Sequence, residues 1–326
     1  MIYVLYDKPK SMEDMSFLTA KFESPHEEIY PPCRCLSIKQ MIAVCWDVVN
    51  RTGEGDMIVC WYDFMGVLCW WLAKLKNKKG KILAINLLLK DKRTLKNRIA
   101  KFLYRSPLQS SSFATTVTAR EYGQYINEIL KIQGSYYLLP DVYHAQYRLD
   151  EKVETEEQSV FCGGRNGRDW DMLFRIARML PEVTFHCVMP GSLQKQYGSA
   201  LESNISIYTD LPEKEFLRQL CRAKLLVMPL NTQAPAGLTV YFQAAANNKM
   251  VITSSTVTTR EYFAQGRGVL CTQDPNEWKE KIQHYLSHPQ QADAYATEFK
   301  GYLENVCSEE AYAQTLWDIV KAEGAI

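Results

Sequence analysis

No charge of either sign predominates in this sequence: 38 Lys and Arg stand against 37 Asp and Glu, a net charge of +1. So even a balance argues against wholesale nucleic-acid binding, which draws on a basic surface. No apolar run is long enough to cross a bilayer. The best candidate, Met57 to Leu72, is shorter than the roughly 20 apolar residues of a spanning helix and is interrupted by Asp63 and Gly66. The 10 cysteines include no Cys-x-x-Cys pair and no histidine at metal-ligand spacing, the nearest approach being Cys33-Arg-Cys35. Most lie in apolar runs such as Ile58-Val-Cys60 and Val67-Leu-Cys69. They are therefore expected to be small core residues in a reducing cytoplasm, with neither zinc nor disulfides. A Gly-x-Gly-x-x-Gly fingerprint with a downstream acid is also lacking, which disfavours a dinucleotide-binding oxidoreductase. The chain opens directly on the strand-like Met1-Ile-Tyr-Val-Leu-Tyr6, so no signal peptide is expected.

What is present is an alternation of strand and helix signals, and the length suffices for two α/β domains. In the first half, strands are read at Ile2–Tyr6, Asp56–Tyr62, Lys81–Asn86, Phe113–Thr118 and Tyr136–Leu139. Helices are read at Ser37–Asn50, Phe64–Leu75, Thr94–Tyr104 and Ala119–Ile132. An acidic, aperiodic stretch, Leu149–Ser159, reads as a linker. The pattern then restarts, with strands at Ser159–Cys162, Val183–Val188, Ile205–Tyr208, Leu225–Leu230, Met250–Thr253 and Gly268–Cys271. The intervening helices are Arg168–Leu180, Pro212–Cys221, Leu238–Ala246, Glu261–Gln265, Glu277–Leu286 and Ala311–Ala322. The fold class is therefore α/β: two Rossmann-like, doubly wound parallel domains, 1–150 and 151–326, with a cleft between them. The first half is basic, with 21 Lys/Arg against 15 Asp/Glu, and the second acidic, with 17 against 22.

Lys74–Arg105 concentrates that basic character, with 12 Lys/Arg and the single acid Asp91. Within it Leu95, Ile99, Phe102 and Leu103 recur at helical spacing, while Lys96, Arg98, Lys101 and Arg105 lie mostly elsewhere. A basic amphipathic helix is either an ordinary surface helix or a patch that rests on an anionic membrane. Trp46, Trp61, Trp70 and Trp71 favour the membrane reading, though they also suit a core.

Two glycine turns carry the chemistry. Gly163-Gly164-Arg165-Asn-Gly167-Arg168-Asp169 follows a strand and opens a helix, and so does Asn231-Thr-Gln-Ala-Pro-Ala236-Gly237-Leu238-Thr239. Glycines let backbone approach a ligand, helix N-termini offer free N–H groups, and arginines add forked positive donors, the components of a diphosphate site. Each turn has a structural alternative, in which glycine merely makes room, Asp169 caps its helix and the arginines are solvated.

From Ser159 to Trp317 the second half resembles the family-4 glycosyltransferases of the GT-B fold. The resemblance lies in Gly-Gly-Arg165 after a strand, Asn204–Tyr208, Pro212–Phe216, Ala223–Leu230, Ala236-Gly237, Gln243–Ile252, Thr259–Glu261 and Gly266–Leu270. More loosely, Thr116–Glu121 and Leu138–Asp141 resemble the family's acceptor domain. The resemblance implies a nucleotide-sugar on 151–326, a glycan or lipid-linked acceptor on 1–150, retention at the anomeric carbon, and neither metal nor other cofactor. The donor would be of UDP or GDP type, the pathway surface polysaccharide or glycoconjugate synthesis, and the location cytoplasmic or peripheral on the inner membrane face. By position, Gly164, Arg165 and Arg168 correspond to the loop that contacts the donor diphosphate, and Ala236, Gly237, Leu238 and Thr239 to the loop at its phosphates and sugar. Gln243 falls where the family often has the second glutamate of its E-x7-E motif, which holds the ribose. The first glutamate's place is taken by Pro235. Asp63, at the end of a strand, is a candidate base or a helix cap, and His144 is a candidate base or a structural residue. His186, inside a strand, is expected in the core. With the two glutamates replaced, a non-catalytic nucleotide-sugar or glycan-binding subunit is the alternative, and a sugar-nucleotide epimerase is a further one.

Overall fold

The computed structural model describes residues 1–12, 15–33, 37–91, 94–197 and 202–324. Cys35 and the basic pair Lys92 and Arg93 lie outside the described residues. The chain divides into two compact units, Met1–Val142 with Cys307–Ile326, and Tyr143–Val306.

Numbered in chain order, the first unit comprises β1 (Ile2–Leu5), β2 (His26–Ile29), α1 (Ile38–Arg51), β3 (Met57–Trp61), α2 (Asp63–Leu75), β4 (Lys81–Ile85), α3 (Leu95–Arg105), β5 (Phe113–Val117), α4 (Arg120–Leu130) and β6 (Tyr137–Leu138). Its strands are parallel in the order β2-β1-β3-β4-β5-β6. The second unit comprises β7 (Glu156–Gly163), α5 (Trp170–Arg178), β8 (Thr184–Met189), α6 (Gly191–Tyr197), β9 (Ile205–Thr209), α7 (Glu213–Arg222), β10 (Ala223–Met228), α8 (Leu238–Ala246), β11 (Met250–Ser254), α9 (Thr259–Phe263), β12 (Val269–Cys271), α10 (Pro275–Ser287) and α11 (Pro289–Val306). Its strands are parallel in the order β12-β11-β10-β7-β8-β9. The near-continuous burial of β1, β3, β5, β10 and β11 is what sheets covered on both faces require. The doubly wound α/β fold read from the sequence is the fold observed.

The division differs from a break at 150/151 in two ways. The final helix, α12 (Glu309–Ala322), returns to the first unit. There Tyr312, Leu316, Trp317, Ile319 and Val320 pack on one face of the first sheet, against Ile2, Val4, Met57, Val59, Leu83 and Ile85. The acidic stretch before β7 is also held in place. Glu151 accepts from Arg218 and pairs with Lys214 at 3.2 Å, and the Leu149 N–H donates to Asn247 Oδ1 at 2.9 Å. These bonds bind it to the second unit, so the break falls earlier, between Val142 and Tyr143.

In the second sheet the chain enters at β7, winds outward through β8 and β9, and returns to β10 on the other side of β7. The carboxyl ends of β7 and β10 therefore flank a topological switch point, the place where open α/β sheets hold ligands. Both glycine turns of the sequence lie there. The nine described cysteines form no disulfide, and most are buried. No described helix is long and apolar enough to cross a membrane.

Candidate functional site

The turn after β7 and the turn after β10 are fastened to each other. Asp169 N donates to Pro229 O at 2.9 Å and Asn231 N to Gly167 O at 3.0 Å. Asn231 Nδ2 donates to Arg168 O at 3.2 Å, and Arg168 and Leu230 form an isolated antiparallel bridge. Gly167 lies so close to the second turn that a Cβ there would come within 3.0 Å of Ala236 Cβ. The two turns thus form one backbone surface.

Each turn ends on a helix N-terminus. Asp169 caps α5, accepting from Met172 N at 3.0 Å. Gly237 is the N-cap residue of α8 with φ at 88°, and it offers no capping side chain. A Cβ on it would meet Met228 Sδ at 2.8 Å and the Tyr241 ring at 3.1 Å. With the cap position bare, the first N–H groups of α8, on Leu238, Thr239 and Val240, have no intrahelical acceptor. They point where an anion gains from both hydrogen bonds and the helix dipole. Thr239 is exposed. Below this turn Tyr241 Oη and Thr253 Oγ1 are hydrogen-bonded at 2.6 Å, and Thr253 Oγ1 donates to Met228 O at 2.8 Å. Ser254 Oγ accepts from Leu230 N at 2.9 Å, so the hydroxyls of β11 hold the end of β10 in place.

The two arginines are placed very differently. Arg168 is 7% exposed, with Nε donating to Gly163 O at 2.8 Å and Nη1 to Asn166 O at 2.6 Å. It stitches the first turn together from beneath, and its guanidinium fills the space a side chain on Gly164 (φ 118°) would occupy. Burial pulls its pKa down, and it has no ion-pair partner among the described residues. It is a positive charge stored under the turn. Arg165 instead stands out in solvent, with Nη2 3.7 Å from Asp210 Oδ1. Asp210, at positive φ just after β9, also accepts from Gly191 N at 3.0 Å.

Gln243 lies one turn along α8 from Thr239 and is buried. Its Nε2 is 3.4 Å from Glu213 Oε1 at the start of α7, so an exposed carboxylate stands beside the neutral glutamine. Asp210, Glu213 and Asn231 are not among the site residues singled out from the sequence, although Glu213 and Asn231 lie in stretches that it marked. Asp210 and Glu213 flank the end of a strand and the start of a helix, a position that could have marked them; Asn231 acts through backbone contacts that sequence does not display.

Gly164, Arg165, Arg168, Ala236, Gly237, Leu238 and Thr239 are thus brought together, with Gln243 adjoining. Asp63 and His144 are not part of that cluster. Asp63 belongs to the first unit and is buried as the first residue of α2. Its carboxylate accepts from Phe64 N, Leu88 N and Tyr104 Oη, each at 2.8 Å. It ties α2, the segment after β4 and α3 together, and burial raises its pKa to about 6. His144 packs edge-on to Tyr147, ring centroids 5.3 Å apart. The Tyr147 carbonyl accepts from Asn247 Nδ2 at 2.9 Å, at the C-cap of α8 and so at the end remote from Gly237. His186 is buried in β8, as expected of a core residue, with Nε2 2.9 Å from Glu156 Oε2.

Residues 166–319 match a family model described as "Glycosyl transferase-like". Among solved structures, sucrose-phosphate synthase from Thermosynechococcus elongatus superposes with a TM-score of 0.72 at 14% identity, over 99% of this chain and 98% of that one. HepE from Anabaena, in complex with UDP and glucose, gives 0.69 at 13% identity over 99% and 100%. TarM gives 0.65 at 13% over 85% of this chain, which spans only 58% of TarM. No curated protein matches in sequence. At these identities the likeness establishes the fold, which is that of the GT-B glycosyltransferases.

Proposed function

We propose that this chain is a retaining, metal-independent glycosyltransferase of the family-4 type, acting in surface polysaccharide or glycoconjugate synthesis. It transfers a sugar from a nucleoside-diphosphate donor, of UDP or GDP type, to a glycan or lipid-linked acceptor, in the cytoplasm or at the inner face of the membrane. The observation that carries this reading is the fastening of two helix-opening turns at one switch point. Each turn by itself is ordinary, whereas the uncapped N–H groups of α8 in one and the exposed Arg165 guanidinium in the other, on one surface, suit the two phosphates of a single ligand. HepE was solved with UDP and glucose, which accords with a donor of this class.

In this reading the N–H groups of Leu238 and Thr239 receive the diphosphate. Arg165 swings from Asp210 to complete its shell, and buried Arg168 adds a fixed positive field beneath. As the bond between the anomeric carbon and the diphosphate oxygen breaks, negative charge grows on the leaving group, and these donors stabilise it without reorganising. The acceptor hydroxyl forms the new bond to the anomeric carbon on the face that the diphosphate leaves, and its proton passes to a leaving phosphate oxygen. Gln243 and Glu213 together receive the ribose hydroxyls, the glutamine donating and the carboxylate accepting. The acceptor belongs to the first unit, near the switch point between β1 and β3, where Tyr62 holds a φ of 86°, an uncommon conformation for a bulky residue.

Calorimetric titration with UDP, GDP and ADP tests the donor class, and heat from none of them contradicts the reading. One observation favours a second reading, a binding subunit without catalysis: a proline and a glutamine stand at the positions of the paired glutamates. Transfer from a radiolabelled nucleotide-sugar with release of nucleoside diphosphate separates the two.

A further inference from the structure

The helix α3 is turned the wrong way round for a protein surrounded by water. At about 100° per residue, Leu95, Ile99 and Phe102 fall within an arc of about 60°. Buried Tyr104 lies on the opposite side. The apolar arc faces outward: Leu95 is 72% exposed, Ile99 53% and Phe102 71%. On its flanks Lys96, Arg98 and Arg105 are exposed and make no ion pair among the described residues. No acid lies in the helix.

A second stripe runs along α1. Ile38, Ile42 and Trp46, at i, i+4 and i+8, are exposed, while Cys45, Val48 and Val49 face the core. Lys76 Nζ stands 3.6 Å from the centre of the Trp46 ring. Asp47 is the acid of α1, and it sits 3.7 Å from Arg51. The two stripes share one side of the first sheet, because β2-α1-β3, β3-α2-β4 and β4-α3-β5 all progress in the same direction with the same crossover hand. Trp71 Nε1 of α2 donates to Leu103 O of α3 at 3.0 Å, so α2 bridges them, and its exposed end, Leu75, adds a further apolar side chain. Trp61 and Trp70 are buried and belong to the core, so of the four tryptophans Trp46 is the one exposed on this face.

We propose that the outward faces of α1 and α3 form one docking surface that inserts into the headgroup region of an anionic bilayer. The occupant is a membrane and not a protein because of the charge. Apolar tips ringed by long cationic side chains match acyl chains below anionic headgroups, with Lys and Arg snorkelling outward and a tryptophan at the polar boundary. The basic stretch read from the sequence predicts adsorption by charge, whereas these exposed side chains add penetration. The proposal extends the proposed function by naming where a lipid-linked acceptor would be met, and rests on that reading only for the acceptor.

The full-length chain is floated with vesicles of phosphatidylcholine, with and without phosphatidylglycerol. It floats with the anionic vesicles, and brominated acyl chains quench a fluorescence component that Trp46→Phe removes. The double substitution Ile99→Glu, Phe102→Glu lowers partitioning by about tenfold or more, while the circular dichroism and UDP binding stay those of the parent. Absence of flotation, equal flotation of the double variant, or flotation without quenching overturns the proposal. Dimerisation in light scattering that the double variant abolishes also overturns it, since the face is then covered by a second copy. UDP binding, which resides in the other unit, reports separately on the donor site.

Discussion

Asn231 N donates to Gly167 O at 3.0 Å, so the turn that ends β10 is joined by backbone to the turn that ends β7. That bond and its neighbours make one backbone surface, the one proposed to receive the diphosphate, from segments about 60 residues apart in the chain.

Gly237 is the residue on which that surface most depends. Gly237→Val forces a branched side chain to positive φ against Met228 and Tyr241, at a cost of roughly 1–3 kcal/mol in stability. Binding of UDP should fall below detection while the far-UV circular dichroism keeps its shape. Undiminished affinity would place the diphosphate elsewhere.

Arg165 is exposed and its only described ion pair, with Asp210, is long, so Arg165→Ala should leave stability within about 0.5 kcal/mol. The same change should weaken UDP binding by roughly 1.5–3 kcal/mol, the scale of a hydrogen bond to a charged group. Thermal denaturation and calorimetry measure the two quantities, and an unchanged Kd removes Arg165 from the site.

Glu213→Gln is expected to act on the nucleoside and not on the phosphates. UDP should bind roughly 1 kcal/mol more weakly, whereas binding of inorganic pyrophosphate should stay as in the parent. Equal losses for both ligands would show that Glu213 acts by shaping the loops.

Asp63 gives a pH signature. Burial raises its pKa from 3.8 to about 6, so the folded chain holds this proton more tightly than the unfolded one. Well below pH 4 both states are protonated and the group is neutral in the balance. As pH rises from about 3 to about 7 the unfolded state ionises first, and the group's contribution to stability falls by roughly 3 kcal/mol, then stays level. Asp63→Asn removes that part of the pH dependence, which denaturant titrations of the first unit's tryptophan fluorescence across this range would reveal. An unchanged slope would mean that Asp63 titrates normally.

Most of this architecture was legible because buried parallel strands are short branched runs closed by turn residues. Leu238–Ala246 falls where its Gly237 and the following strand predict. The polar edge strand His26–Ile29 was not legible, since an edge covered on few sides carries no apolar alternation. Nor was α6, which buries no residue, while Ala292, Ala296, Phe299 and Leu303 of α11 did offer a helical stripe that went unread. In the site, the glycines and Arg165 were visible as a pattern after strands. The inward turn of Arg168 was not, because only the fold reveals that Gly164 leaves it a socket. The outward face of α3 was invisible for a similar reason: periodicity finds an apolar stripe without saying which way it points.

The decisive measurement is a crystal structure of the chain with UDP or a UDP-sugar. The two-turn site predicts both phosphates within hydrogen-bond distance of Leu238 N, Thr239 N and the Arg165 guanidinium, with the bond from Asn231 N to Gly167 O intact. A nucleotide whose phosphates touch only one turn, or neither, would contradict it.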